Sequence, residues 1–224
     1  MAGLEAFWNR SDGVGRAVAL LLLAMSVTAW ALILWKAWLL RRAGADIARG
    51  VPAFWDAAGL EEGRARLAAN DREQVLLPLL DAAAAGAAEG TLATQAHRAS
   101  QLTRRLRDAL HRGLAHLQTG QVVLASIGST APFVGLLGTV WSIYHALVGI
   151  GAAGTITIDK VSGPIGEALV LTAAGIAVAV PAVLAFNVFG KRVAACEAEL
   201  EGFAHDLREL MMEPAGVGDD KGAS

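Results

Sequence analysis

Glu167 is the residue whose type and setting most invite chemistry. It is the single charged residue between Val161 and Gly190. Inserting a carboxylate into such an apolar run costs roughly 2.5–3.5 kcal/mol, so these residues face a bundle interior or a wet path. An apolar setting favours the neutral form of a carboxyl group, and a group so placed can take up and release a proton. The other reading of Glu167 is a side chain at the outer interface that reaches water and transports nothing. Thr139 and Ser142 lie three residues apart, with Gly135 and Gly138 before them. On a helix this makes one small, slightly polar face, suited to close packing or to lining a pore. Thr172, Ala173, Ala174 and Gly175 offer similar small residues on the following run. Pro132 and Pro181 can kink their helices, which is tolerated where neighbours re-satisfy the freed carbonyls.

Other patterns carry less. Gly149–Gly154 matches G-x-G-x-x-G, but a dinucleotide site needs a preceding strand, a following helix and a later acidic residue. Here the pattern ends an apolar run and reads as a turn. There is no G-x-x-x-x-G-K-[ST], so nothing points to direct ATP use. His97, His111 and His116 lack H-E-x-x-H spacing or a cysteine partner and read as solvated helix-face residues. The Ala-rich stretch 81–89 is a helix former. A single cysteine, Cys196, excludes a disulfide framework and a multi-cysteine metal site, and a net charge of −2 excludes a strongly basic nucleic-acid binder. No nucleophile, metal or cofactor constellation suggests an enzyme.

The elements that must hold these residues are membrane helices. Of 224 residues 54% are hydrophobic and only 18% charged, against roughly 25% in ordinary soluble domains. Those charges are segregated. Ala17–Trp35 is an uncharged run of 19 residues, about the length of one crossing. Trp30, Trp35 and Trp38 gather towards one end of it, where aromatics anchor at an interface. Gln121–Ile158 lacks any Asp, Glu, Lys or Arg, and the third run follows from Val161 until Lys191-Arg192 closes it. The reading is an all-α membrane protein with three transmembrane helices, the second and third prolonged into a cytoplasmic helical bundle. Its segments are an outer N-terminal part (1–16), a first span (17–40), a cytoplasmic helical loop (41–120), a second span (121–150), an outer turn (151–162), a third span (163–190) and a cytoplasmic tail (191–224).

Basic residues set the orientation. Lys36, Arg41, Arg42 and Arg49 follow the first span, Arg104, Arg105, Arg107 and Arg112 precede the second, and Lys191-Arg192 follow the third. The other side offers only Arg10, Arg16 and Lys160. The N-terminus is therefore expected outside and the C-terminus in the cytoplasm. Apolar residues recur at spacings of three and four from Leu92 to Leu117, without a proline to break the run into the second span. Val193, Cys196, Leu200, Phe203, Leu207 and Leu210 repeat the pattern in the tail. If both stripes pack antiparallel, the arginines 104, 105, 107 and 112 come level with Glu197, Glu199, Glu201, Asp206 and Glu209. Counting from Val122 and Gly190, Thr139 and Thr172 both sit about 26 Å from the inner edge, with Glu167 roughly 8 Å further out.

The segments Ala131-Pro132-Phe133-Val134-Gly135-Leu136-Leu137-Gly138-Thr139-Val140-Trp141-Ser142-Ile143 and Gly163-Pro164-Ile165-Gly166-Glu167-Ala168-Leu169 resemble the signature of the MotA/TolQ/ExbB proton-channel family. So do Thr172-Ala173-Ala174-Gly175, Pro181-Ala182-Val183 and Asn187-Val188-Phe189. The match is close over 122–192, and the three-span order with a large inner loop extends it. Within the family Ala131–Val134 and Asn187–Phe189 resemble the ExbB branch, whereas Tyr144-His145-Ala146 is nearer the TolQ branch of the Tol-Pal envelope system. Leu137 stands where Phe is common and Ser142 where Gly is common. The resemblance implies an inner-membrane homo-oligomer, typically a ring of five, around single-span ExbD-like helices. In the family, proton flow through such a complex energises a TonB-like protein that opens outer-membrane transporters. It further implies that Glu167, Thr139 and Thr172 line the proton path, with the other titrating carboxylate on the ExbD-like partner. The contrasting reading is a structural ring that only holds that partner. Membrane lipid is an expected contact; nucleic acid, metal and cofactor are not.

Overall fold

The computed structural model describes residues 12–85, 97–153 and 158–212. Six helices follow one another among them: α1 Gly13–Trp55, α2 Leu60–Asn70, α3 Leu77–Ala84, α4 Arg98–Gln118, α5 Gln121–Ala153 and α6 Ile158–Met212. The described residues contain no strand. Three helical stretches are long and apolar enough to cross a membrane, Gly13–Trp55, Arg98–Gly149 and Ala168–Met212. The protein is an all-α membrane protein.

The chain divides into two compact units. The first takes the residues up to Lys36 together with Gly120–Phe189. Its core is small, formed by Val18, Leu22, Ala131, Leu171 and Ala179 with Ala19, Met25, Val134, Ala174 and Val178 packed on it. Large apolar side chains such as Leu23, Leu34, Phe133, Leu137, Leu169 and Leu184 stand exposed. Many bulky residues outside, with glycine and alanine where the helices approach most closely, suit helices that close on one another in lipid. Contacts fix the register. A Cβ at Gly128 would meet Val183, one at Gly135 would meet Leu171, Thr172 and Gly175, and one at Gly138 would meet Leu171 and Val18. As the position on α5 rises that on α6 falls, so the two helices run antiparallel.

The second unit takes Ala37–Thr119 and the chain from Gly190. It is packed like a soluble core, with Leu39, Ile47, Phe54, Leu67, Leu76 and Leu80 buried along with Leu106, Leu117, Leu200 and Phe203. The Phe54 and Phe203 rings meet edge to face at 5.4 Å. Two buried carboxylates organise the link between α2 and α3. Asp71 accepts the N–H groups of Val75, Leu76 and Leu77, and Asp46 Oδ2 accepts those of Arg72 and Glu73. Glu73 in turn pairs with Arg42 at 2.9 Å.

Three details differ from the sequence reading. The second span and its prolongation are not one helix, because Thr119-Gly120 separates α4 from α5 and Gly120 adopts φ +81°. The turn read at Gly149–Gly154 does not begin at Gly149, since Gly149 to Ala153 remain in α5, and Asp159-Lys160 lie in the first turn of α6. The level charges do not pair: among the described residues no ion pair joins the arginines of α4 to the acidic residues of α6. What these two helices bury is the apolar stripe, while Arg104, Arg107, Arg112, Glu199, Glu201 and Asp206 stay exposed. Residues 86–96, where the stripe and the Ala-rich stretch begin or end, lie outside the described residues, as do 1–11, 154–157 and 213–224.

Candidate functional site

Within the first unit, the antiparallel register brings the threonines of α5 and α6 to one level. Thr139 Oγ1 is hydrogen-bonded to Thr172 Oγ1. It also lies 3.0 Å from the Ala168 carbonyl oxygen and 3.1 Å from that of Gly135. A hydroxyl has one proton to donate and two lone pairs to accept with. When Thr139 donates to a carbonyl, Thr172 donates to Thr139; when Thr139 turns its proton to Thr172, the carbonyls are released. The pair therefore has two proton arrangements.

Glycine makes this approach possible. A Cβ at Gly135 would stand 2.6 Å from the Leu171 carbonyl oxygen, and one at Gly175 would stand 2.6 Å from the Ala131 carbonyl oxygen. Both obstacles are backbone, so neither can swing aside. Gly135, Gly138 and Gly175 are thus packing positions that set the distance between the threonines. Ser142 is half-buried one turn beyond Thr139 on α5. Pro132 lies inside α5 beside Ala131, and Pro181 lies nine residues beyond Thr172 within α6. Glu167 belongs to α6, five residues before Thr172, and its side chain lies outside the described residues.

A second polar cluster escaped the sequence reading. Asp12 stands just before α1, where its Oδ1 accepts the Gly15 N–H at 2.7 Å. Its Oδ2 accepts the Trp141 Nε1–H, and His145 Nδ1 stands 4.0 Å away. Partial burial pushes the Asp12 carboxyl up, but the Gly15 and Trp141 donors, with His145 and Arg16, outweigh it and hold the group below the usual aspartate range. Aspartate a few residues before an apolar run is a helix-start signal and was there to be read. Its distant partner Trp141 carries no such signal. Lys36, counted among the basic residues flanking the first span, is fully buried.

Residues 76–202, more than half of the chain, match the MotA/TolQ/ExbB proton channel family. The chain belongs to that family. The matched range holds α4, α5 and most of α6, and with them Thr139, Glu167 and Thr172. A biopolymer transport protein ExbB of Xanthomonas campestris pv. campestris is 42% identical over 201 residues, covering 86% of this chain and 79% of its own. An ExbB of Neisseria meningitidis serogroup A is 36% identical over 219 residues, 93% of this chain and 97% of its own. A Tol-Pal system protein TolQ of Haemophilus influenzae is also 36% identical, but over 107 residues and 48% of this chain. The similarity to these two ExbB proteins runs over most of the chain, whereas that to this TolQ covers about half. Among members of the MotA/TolQ/ExbB family, the chain is an ExbB-like proton-channel subunit. Asp12 lies before the matched range, so its cluster with Trp141 ties the family segment to the helix that precedes it.

Proposed function

We propose that the chain forms a homo-oligomeric ring, of five copies, in the bacterial inner membrane, with its N-terminus periplasmic and its C-terminus cytoplasmic. Membrane lipid surrounds it, and it encloses the single span of an ExbD-like protein. Proton flow through the complex drives a TonB-like protein that energises outer-membrane transport. The observation that carries this reading is the Thr139–Thr172 hydroxyl pair, built where two antiparallel helices meet. A hydroxyl pair with two proton arrangements suits a relay, and a relay needs a group that binds a proton at its end. Glu167 supplies one, five residues or about 7.5 Å along α6 from Thr172. In this reading the step between them is carried by water or by a carboxylate of the partner. The relatives named ExbB support the TonB-linked branch over the Tol-Pal branch.

Energised uptake in cells depleted of their own copy tests the proposal. Glu167→Ala is expected to assemble with its partner and lose uptake, because the role assigned to Glu167 is polar. Thr139→Val keeps shape and removes the hydroxyl, and it should reduce uptake less completely, since water can take the place of one relay group. Wild-type uptake by Glu167→Ala would return the residue to the outer interface and leave a purely structural ring.

A further inference from the structure

In the second unit, two cavities on either side of the α6 end carry opposite charge. The first, of about 530 Å³, is lined by residues of α4 that include Ser100, Thr103, Arg104, Arg107 and Asp108, and by Arg208 of α6. Three guanidinium groups and one carboxylate leave it net positive. Arg208 Nε is buried and faces no acceptor from its own chain. A buried donor without an acceptor costs roughly 1–3 kcal/mol, more when charged, so this face calls for an oxyanion. The second cavity, of about 430 Å³, is lined by Asp206, Glu209, Leu210 and Trp55 and has no basic residue on its walls. Glu209 lies 3.2 Å from His205 Nε2, and Trp55 is 42% exposed although its ring leans on Phe54 and Phe203.

At 3.6 residues per turn, Arg208 points roughly 130° away from the mean direction of Asp206 and Glu209 around the α6 axis. One turn of one helix thus presents a cationic face and an anionic face in different directions. The two faces are complementary but not self-complementary. Contact between copies through them is head-to-tail, and head-to-tail contacts close into rings when the rotation permits. The cationic cavity offers no aromatic wall for a base, and Asp108 within it disfavours a polyphosphate. Separate carboxylates presented on a helix suit it better.

We infer that the Arg104/Arg107/Arg208 cavity of one copy receives Asp206 and Glu209 of the next copy, making this contact the cytoplasmic seam of the ring. The inference rests on the ring-forming reading above and adds which surfaces meet. Trp55 and Leu210 supply apolar area beside the charges, as the large anchors of an interface do. The exposed ion pairs set orientation and register more than strength.

The test uses the full-length chain with its single cysteine removed as Cys196→Ala. Copies carrying only Arg107→Cys are co-expressed with copies carrying only Glu209→Cys, so that any disulfide between the two forms joins different chains. Cross-linked dimers are expected from the mixture and not from either form alone. In parallel, Arg104→Glu with Arg107→Glu should weaken subunit association about tenfold through like-charge contact. Adding Asp206→Arg and Glu209→Arg to the same chain should restore it. A ring intact by native mass spectrometry without the mixed disulfide, or unmoved by the double reversal, would overturn this seam and leave the ring reading standing. A chain that stays monomeric beside its partner protein would overturn both.

Discussion

Gly135 and Gly138 lie on the same face of α5, yet an added methyl group meets different obstacles at the two positions. At Gly135 it runs into the Leu171 carbonyl oxygen at 2.6 Å, whereas at Gly138 it meets side-chain atoms of Leu171 and Val18. Gly135→Ala should therefore destabilise the detergent-solubilised protein by about 1–3 kcal/mol, the range for overpacking a close contact. Gly138→Ala should cost less, because the Leu171 and Val18 rotamers can yield. Thermal unfolding of the two variants checks the order. Asp12 permits a prediction with a defined sign. Its folded pKa lies below the ordinary aspartate value of 3.8, so its contribution is complete above that value and is lost as pH falls through the folded value. Asp12→Ala should cost about 1 kcal/mol at neutral pH, typical of a lost helix cap. The gap from wild type should narrow only below pH 3.8, as read by unfolding at a series of pH values.

Much of the site was legible as elements, because charge segregation marks a span and small residues mark a contact. The common level of Thr139 and Thr172 followed from counting along two antiparallel helices, since 1.5 Å per residue leaves little freedom once the inner edges are placed, whereas their hydrogen bond did not. The breaks were harder to read. Gly149 and Gly151 suggested a turn, but nothing lies within 4 Å of either, and the helix passes through them. At Gly120 the reverse holds. No proline announces an interruption there, yet φ +81° is a backbone state that a side chain disfavours, and a Cβ would come within 3.1 Å of Leu32. Gly120→Ala should accordingly destabilise by about 1–2 kcal/mol, while Gly149→Ala, in open space within a helix, should be neutral or slightly stabilising. A matched pair of melting curves separates the two. The Asp12–Trp141 contact was not legible, because its partners are 129 residues apart and nothing in a single sequence couples them.

At the scale of the whole molecule, the chain combines two kinds of packing. One unit closes on glycine and alanine contacts and leaves many leucines and valines outward, as lipid allows; the other buries leucine and phenylalanine and turns most of its charges outward, as water requires. The level charges foreseen between α4 and α6 stayed unpaired because burial of the apolar stripes decides how two helices face each other. An exposed ion pair is worth only about 0–1 kcal/mol against roughly 25 cal/mol for each Å² of apolar surface buried. The central claim concerns the polar residues placed among apolar helices, and proton flux tests it most directly. Liposomes carrying the chain with its single-span partner, under an imposed proton gradient and a counter-ion shunt, should acidify faster than liposomes carrying the partner alone. Glu167→Gln, matched for the amount of assembled complex, should lower that flux to the partner-alone level. Flux through the Glu167→Gln complex equal to wild type would show that protons travel wholly on the partner, and it would contradict the account.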